Sequence, residues 1–400
     1  MGLVMRRNLG NAACTLAAVV LAAAWLASEP RAGRAAEPAA AAATEPAAKA
    51  GGRPLVGAYY YPWYQAGDGD WRNVFRQRLR PSQAPQVGLY DSADPAVVEA
   101  HIAQSRKGGI GFWAVSWWGP ESLTDRNFRQ ALLAHPDAGE LQFAALYEST
   151  GRFGEFDRPR YDEWLTDLAY LREHYFNHPR YLRVDGRPVL FVYLSREYFR
   201  NKGGEALAAA REQFPDVYLV GDDVFGGGYR AEWAGQFDAV TAYDVYGQST
   251  GIHGSGAKAV ATLAENYAHA RDVANSAGTA FIPAVAPGYN DTVIRQGHPG
   301  SARSMADDAG SQEGDLFRAM IRDAALPNLD PRCGRIMMVT SFNEWYEDTQ
   351  IEATVGDQAA TSEDDSADGR KYTAGDRYED YGDLYLDILR ETTRPAGAAD

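Results

Sequence analysis

The stretch RIMMVTSFNEWYEDTQIE, Arg335 to Glu352, decides the fold. Its first half is an apolar, β-type run, and its second half turns polar and sets two carboxylates, Glu344 and Glu347, three residues apart among Asn343, Trp345 and Tyr346. Paired carboxylates beside aromatic rings are what glycoside hydrolysis needs. One acid protonates a leaving oxygen, one base develops the nucleophile, and ring faces hold a sugar. Whether this is chemistry or a solvated acidic loop depends on what the rest of the chain builds around it.

Working outward, the same pattern recurs. Apolar, β-branched or aromatic runs occur at Leu55 to Tyr61, Ile110 to Ser116, Gln142 to Tyr147, Pro188 to Tyr193, Val217 to Gly221, Ala239 to Tyr243, Ala280 to Val285 and Ile336 to Phe342. Helical periodicity fills the intervals at Pro95 to Lys107, Tyr161 to Phe176, Gly204 to Phe214, Ala257 to Ala277, Glu313 to Ala325 and Tyr381 to Arg390. Alternating βα units imply a parallel sheet. Eight of them predict a single (β/α)8 TIM barrel over residues 53–395, with its active site at the C-terminal ends of the strands. Polar and aromatic residues gather at those ends: Tyr59, Tyr60, Tyr61 and Trp63; Trp117 and Trp118; Tyr147 and Glu148; Tyr193; Asp222 and Asp223; Tyr243, Asp244 and Tyr246; Tyr289; Asn343 and Glu344. Such recurrence predicts one shared cleft.

Composition narrows the partners. Asp plus Glu number 54 against 39 Lys plus Arg, a formal net charge of -15, which argues against nucleic acid or an anionic membrane surface. A neutral polysaccharide or oligosaccharide fits better. The histidines are scattered, without metal-ligand spacing. That makes metal-assisted hydrolysis an unfavoured reading, and neither a G-x-S-x-G elbow of a serine hydrolase nor a glycine-rich phosphate or dinucleotide loop is present. Of the two cysteines, Cys14 lies in the leader and Cys333 is read as a packed small residue. Thr361 to Gly369, TSEDDSADG, lacks the glutamate that closes an EF-hand and reads as a mobile, solvated acidic loop.

Arg6 and Arg7 precede an uncharged Ala/Leu/Val stretch from Asn8 to Ser28. Residues 1–28 are therefore expected to be an export signal, cleaved near Ala24, Ala27 or Ala36, or an N-terminal membrane anchor. Residues 29–52, rich in Ala and Pro, read as a disordered linker. The protein is expected to be exported, periplasmic or secreted, and to touch membrane only through such an anchor.

Four blocks in order resemble glycoside hydrolase family 99, the endo-α-mannosidase and endo-α-mannanase barrels: GAYYYPWY (Gly57 to Tyr64), GGIGFWAVSWWGP (Gly108 to Pro120), PAVAPGYNDT (Pro283 to Thr292) and SFNEWYEDTQIE (Ser341 to Glu352). The resemblance implies that Glu344 is the base that deprotonates the substrate's 2-hydroxyl. It makes Glu347 the acid/base at the leaving oxygen, with a 1,2-anhydro sugar between them and net retention. It places Tyr60, Trp117, Trp118, Glu148, Tyr243, Tyr246 and His253 on the substrate surface. Trp63, Tyr193, Asn343 and Trp345 join them as aromatic or polar residues at strand ends and in the acidic motif. Tyr346 stands where the family has His and Asp348 where it has Gly. An aspartate there is expected to raise the proton affinity of Glu347 by like-charge repulsion and to occupy a site suited to unusual backbone angles. The activity implied is endo-acting cleavage of α-mannosidic linkages, with neither a metal nor an organic cofactor. The alternatives are a noncatalytic polysaccharide-binding barrel and a glycosidase for another cell-envelope exopolysaccharide.

Overall fold

The apolar runs pair in parallel, neighbour to neighbour in chain order, in the computed structural model of the protein, which describes residues 53–394 other than Asp68. The expected leader and linker, 1–28 and 29–52, lie outside the described residues. The strands are β1 (Leu55–Tyr60), β2 (Ile110–Trp117), β3 (Gln142–Tyr147), β4 (Arg187–Val192), β5 (Tyr218–Asp222), β6 (Ala239–Thr241), β7 in two pieces (Ala280–Ile282 and Ala284–Val285) and β8 (Ile336–Val339). β1 pairs with both β2 and β8. Pro283, which has no N–H to give the ladder, divides β7 where it changes partners: the first piece pairs with β6 and the second with β8. The proline carbonyl still accepts from Met338 N at 2.9 Å, and the barrel closes.

The helices between are α1 (Pro95–Gly108), α2 (Leu123–Asn127), α3 (Trp164–Leu171), α4 (Gly204–Gln213), α5 (Ala231–Ala234), α6 (Ala257–Ser276), α7 (Asp315–Ala319) and α8 (Leu384–Thr392). Wider π turns extend α2, α3 and α7 through Leu133, Phe176 and Ala325. The ends of α1 follow from local chemistry. Asp94 accepts from Ala96 N at 2.9 Å, Pro95 fills the first turn, and Gly109 closes the helix in the left-handed region at φ 72°. Among the described residues no helix is long and apolar enough to cross a membrane.

Strands six and eight are shorter than their apolar runs. Ser341 leaves the ladder because the loop behind it folds back: Ser341 N donates to Thr349 O at 2.8 Å, and Phe342, whose N–H still reaches Tyr59 O on β1 at 2.8 Å, accepts from Glu352 N at 2.8 Å. The expected acidic loop at Thr361 to Gly369 is also built differently. Asp364 is buried and accepts from the amides of Ser366, Tyr372 and Thr373, while Asp365 pairs with Arg78 at 2.8 Å. Asp364 holds the loop's own backbone and Asp365 ties it to Arg78, an arrangement that composition cannot reveal. At the opposite end of the barrel, a depression of about 450 Å³ is lined by Arg187, Arg211 and Asp238, whose charges pair with each other.

Side chains alternate across the barrel wall, as period-two strands require. On β1, Gly57 and Tyr59 face inward and Tyr60 faces α1; on β2, Phe112 faces inward and Trp113 faces α1. Phe112 stacks toward Phe191 across the interior, 6.1 Å between centroids. Gly57 makes that possible, since a Cβ there would stand 2.1 Å from the Phe112 ring. Gly57→Ala should therefore destabilise the protein by about 2 kcal/mol or more through overpacking. Urea unfolding checks this, and an unchanged midpoint would refute the packing argument.

Candidate active site

The loop after β8 brings the two glutamates to the barrel mouth by different means. Ser341 Oγ accepts from Glu344 N at 2.7 Å, and the Tyr346 amide donates to Glu344 Oε1 at 3.0 Å, so Glu344 is held down, 3% exposed. Glu347 lies nearer the opening, its side chain 15% exposed. Its Oε2 accepts from the Tyr243 hydroxyl at 3.2 Å and its Oε1 from Arg295 at 3.2 Å. Tyr61 completes a relay, its hydroxyl donating to that of Tyr243 at 2.7 Å.

Asn343 ties β1 to β8 beneath this relay. Its amide side chain receives the Tyr61 N–H at 2.7 Å and donates to the Tyr61 carbonyl at 3.0 Å. Arg295 is aimed by Asp291, with which it forms an ion pair, and by Tyr289, whose hydroxyl accepts from it at 2.7 Å. Asp291 in turn is shared with His298 at 2.7 Å.

Across the mouth, Glu148 at the end of β3 accepts from Ser116 Oγ at 2.7 Å, and Ser116 receives the Trp118 indole N–H at 3.0 Å. Trp63, Trp118, Tyr193 and Tyr346 are half-buried at the rim. Trp63 lies 6.4 Å from Trp118 and 6.2 Å from Tyr346, and Tyr193 stands edge-on to Tyr243 at 5.0 Å. Tyr246 stacks on Tyr289 at 4.2 Å.

Burial dominates the electrostatics. It pushes Glu344 well above the ordinary carboxylate range, with repulsion from Glu347 adding to it. Glu347 is also raised by burial, against the opposing pull of Arg295 and with the help of Asp291 and Asp244. Asp348, expected to repel Glu347, turns its carboxylate away between Arg76 and Arg303, which hold it below the ordinary range despite its burial. The backbone expectation at this position agrees with the structure: φ is 49°. Glu148 is pushed up to about 8 and Asp222 to about 6, both by burial.

Of the residues read from the sequence, Glu344, Glu347, Glu148, Trp63, Trp118, Tyr193, Tyr243 and Tyr246 gather at or around the mouth. Three expectations need correction. Tyr60 is fully buried on the outer face of the barrel wall, stacked on Trp113 at 4.2 Å and hydrogen-bonded to His101 at 2.9 Å. Trp117 is fully buried facing α2, its N–H on Asp125 at 2.8 Å. Trp345 is fully buried beneath the loop and bonded to Glu352 at 2.8 Å. The strand's period-two alternation puts Tyr60 and Trp117 one residue out of phase with the cleft. Asn343 is likewise buried and acts through β1. His253 ends a single turn, Thr250–His253, and among the described residues no hydrogen bond joins it to the carboxylates.

Sequence reasoning missed Arg295, Asp291, Ser116 and the Tyr346 amide. Only Arg295 left a signal, as a cation four residues after Asp291 and just beyond the seventh-strand block.

A closed (β/α)8 barrel with buried paired carboxylates and aromatic walls at its C-terminal mouth is a glycosidase-type barrel. The sequence profile described as Glycosyl hydrolase family 99 matches residues 54–390, and the chain belongs to that family. A glycoprotein endo-alpha-1,2-mannosidase of Xenopus laevis is 27% identical over 77% of this chain, which spans 64% of the relative. For the Rattus norvegicus enzyme of the same name the figures are 24%, 84% and 74%. The fold is shared with the solved family 99 endo-alpha-mannosidase of Bacteroides thetaiotaomicron, at a TM-score of 0.62 and 23% identity, covering 85% of this chain and 96% of that one.

The raised Glu148 makes a stability prediction. A carboxyl whose folded pKa exceeds its unfolded value of 4.5 stabilises the fold fully below that pH, and this contribution is lost as pH rises toward about 8. Stability should fall from pH 5 to 8.5, and Glu148→Gln should make that fall smaller. Glu344, Glu347 and Asp222 contribute the same sign and keep a residual slope. Equal slopes for parent and variant in chemical denaturation would contradict a neutral, buried Glu148.

Proposed function

We propose that this protein is an exported, retaining, endo-acting glycoside hydrolase that cleaves α-mannosidic, mannan-like linkages with participation of the substrate's 2-hydroxyl. The observation that carries the reading is the pairing of two buried glutamates in unlike settings. Glu344 is fixed from below by an amide, and Glu347 sits at the opening between a phenol and a guanidinium. The names of the relatives above support mannose as the sugar.

In this reading Glu344 takes the proton of the 2-hydroxyl as O2 attacks C1. The C1 bond to the leaving sugar breaks, and Glu347 protonates the departing oxygen. Water then attacks C1 of the 1,2-anhydro sugar while Glu347 accepts its proton. The C1–O2 bond opens and Glu344 returns its proton to O2. Two inversions give net retention. The first requires O2 to lie trans to the leaving oxygen, as it does in an α-mannoside.

Burial pushes both glutamates above the ordinary carboxylate range and their repulsion disfavours ionising the two together, whereas the reaction needs the proton on Glu347. A bound 2-hydroxyl donating to Glu344 favours the ionised form of that group and moves the proton to its partner. Arg6, Arg7 and the uncharged stretch behind them support export.

Glu347→Gln should lower turnover of an α-mannosyl substrate with a natural leaving sugar by at least ~100-fold. The 2-deoxy analogue should resist the parent enzyme, and NMR of the first-formed product should show the α-anomer. Cleavage of the 2-deoxy substrate at the parent rate would sink the anhydro-sugar route. Mannan binding without release of reducing ends would favour the noncatalytic reading.

A further inference from the structure

Asp348 directly follows Glu347, yet it belongs to a different electrostatic system. It is fully buried, and its Oδ1 accepts from Arg76 Nε at 2.6 Å, Arg303 Nη2 at 3.1 Å and Gln350 Nε2 at 3.1 Å. Its Oδ2 accepts from Arg303 Nε at 3.1 Å, and its carbonyl from Arg303 Nη2 at 2.7 Å. Arg303 also donates to Gln350 O at 3.0 Å, so one guanidinium grips the chain at both 348 and 350.

The second acid of the cluster is Glu313, 3.0 Å from Arg76, and the rings of Tyr381 and Tyr385 lie about 5 Å from the guanidinium carbons. Two arginines therefore face two carboxylates. Removing Asp348 would leave a buried positive charge uncompensated, which is costly where water cannot reach.

The cluster joins three loops that also build the mouth. Arg76 comes from the β1–α1 loop, which carries Trp63. Arg303 comes from the β7–α7 loop, which carries Asp291 and Arg295. Asp348 is held at φ 49°, a left-handed conformation that Asp and Asn tolerate better than most residues and that glycine adopts freely. Glycine would supply the turn without the anchor.

We propose that Asp348 is a positioning residue: its ion cluster with Arg76 and Arg303 locks the left-handed turn after Glu347 and thereby holds the Glu347 carboxylate against Arg295. The groups facing Glu347 are Arg295 and Tyr243 by hydrogen bond, Glu344, Asp291, Asp244 and Glu148 through their charges, and the nearby phenols of Tyr61, Tyr193 and Tyr289. Asp348 acts on it through the backbone. The inference concerns how Glu347 is held, and it stands whatever glycan the site accepts.

The test is a double-substitution cycle read by titrating Glu347 itself, using carboxyl-13C glutamate and the resonance that Glu347→Gln removes. In the parent, Arg295→Gln should raise the Glu347 midpoint by about 1 pH unit or more, because a paired cation is lost. In the Asp348→Asn background, which keeps the side-chain shape and the tolerance for positive φ, the same substitution should move it less than half as far. Loss of charge alone would shift both backgrounds equally. Equal shifts, with only the melting temperature lowered, would overturn the proposal and leave Asp348 a purely structural anchor. Should Asp348→Asn fail to fold, Arg303→Lys, which keeps the charge and loses the double grip, replaces it in the same cycle with the same expected inequality. Failure of the mannosidase reading would leave this cycle unaffected.

Discussion

Closure of the parallel ladder is the constraint on which the rest depends. Once β7 pairs with both β6 and β8, every strand must deliver its last residues to one rim, and each strand's alternation fixes which of them look inward. Tyr59 and Tyr61 are on the inner side of β1, and Tyr60, between them, can only face α1. The mouth is thus selected by phase as much as by residue type. The three adjacent tyrosines are chemically equivalent in the sequence and occupy three unlike environments in the fold.

The second organising principle is an uneven allocation of arginine. At the mouth, Glu344, Glu347 and Glu148 have Arg295 as the cation that hydrogen-bonds one of them, and burial keeps all three above the usual carboxylate range. One residue further on, Asp348 has two guanidiniums and stays ionised. Asp238, at the far end of the barrel, also has two and is likewise held low. Asp348 and Asp238, which brace the fold, are each matched with two cations, and the three glutamates at the mouth are left short of them. Proton transfer requires that shortage, because a carboxylate fully paired with arginine would not hold a proton near neutral pH.

The barrel was legible in the sequence because its signal is periodic and repeated eight times, and strand bounds fell close to those observed wherever a run ended in a turn. The carboxylate pair was legible because it follows a strand directly. Two of the misplaced residues share one cause. Trp117 and Tyr60 are strand-end aromatics in the sequence, and composition carries no information on which side of the wall a residue lies unless the register is known. Arg295 and Asp291 were missed for the opposite reason: they come from a long loop whose path is set by tertiary contacts. The ordered acidic loop at Thr361 to Gly369 escaped notice because Asp364 spends its oxygens on its own backbone.

The two departures from the family pattern then separate into different kinds of change. Residue 346 serves Glu344 through its backbone amide, which any residue but proline supplies, so tyrosine in place of histidine leaves that hydrogen bond intact. Its ring lies 5.5 Å from Tyr64 and 6.2 Å from Trp63, within the aromatic wall, where it alters the surface offered to a sugar. Residue 348 makes no such surface. It is fully buried and bonded to Arg76 and Arg303 from two other loops, so aspartate rather than glycine there gives the loop after β8 an ionic hold. The aromatic wall and the hold on the loop thus fall to separate residues two positions apart, and each can be varied while the other is left in place.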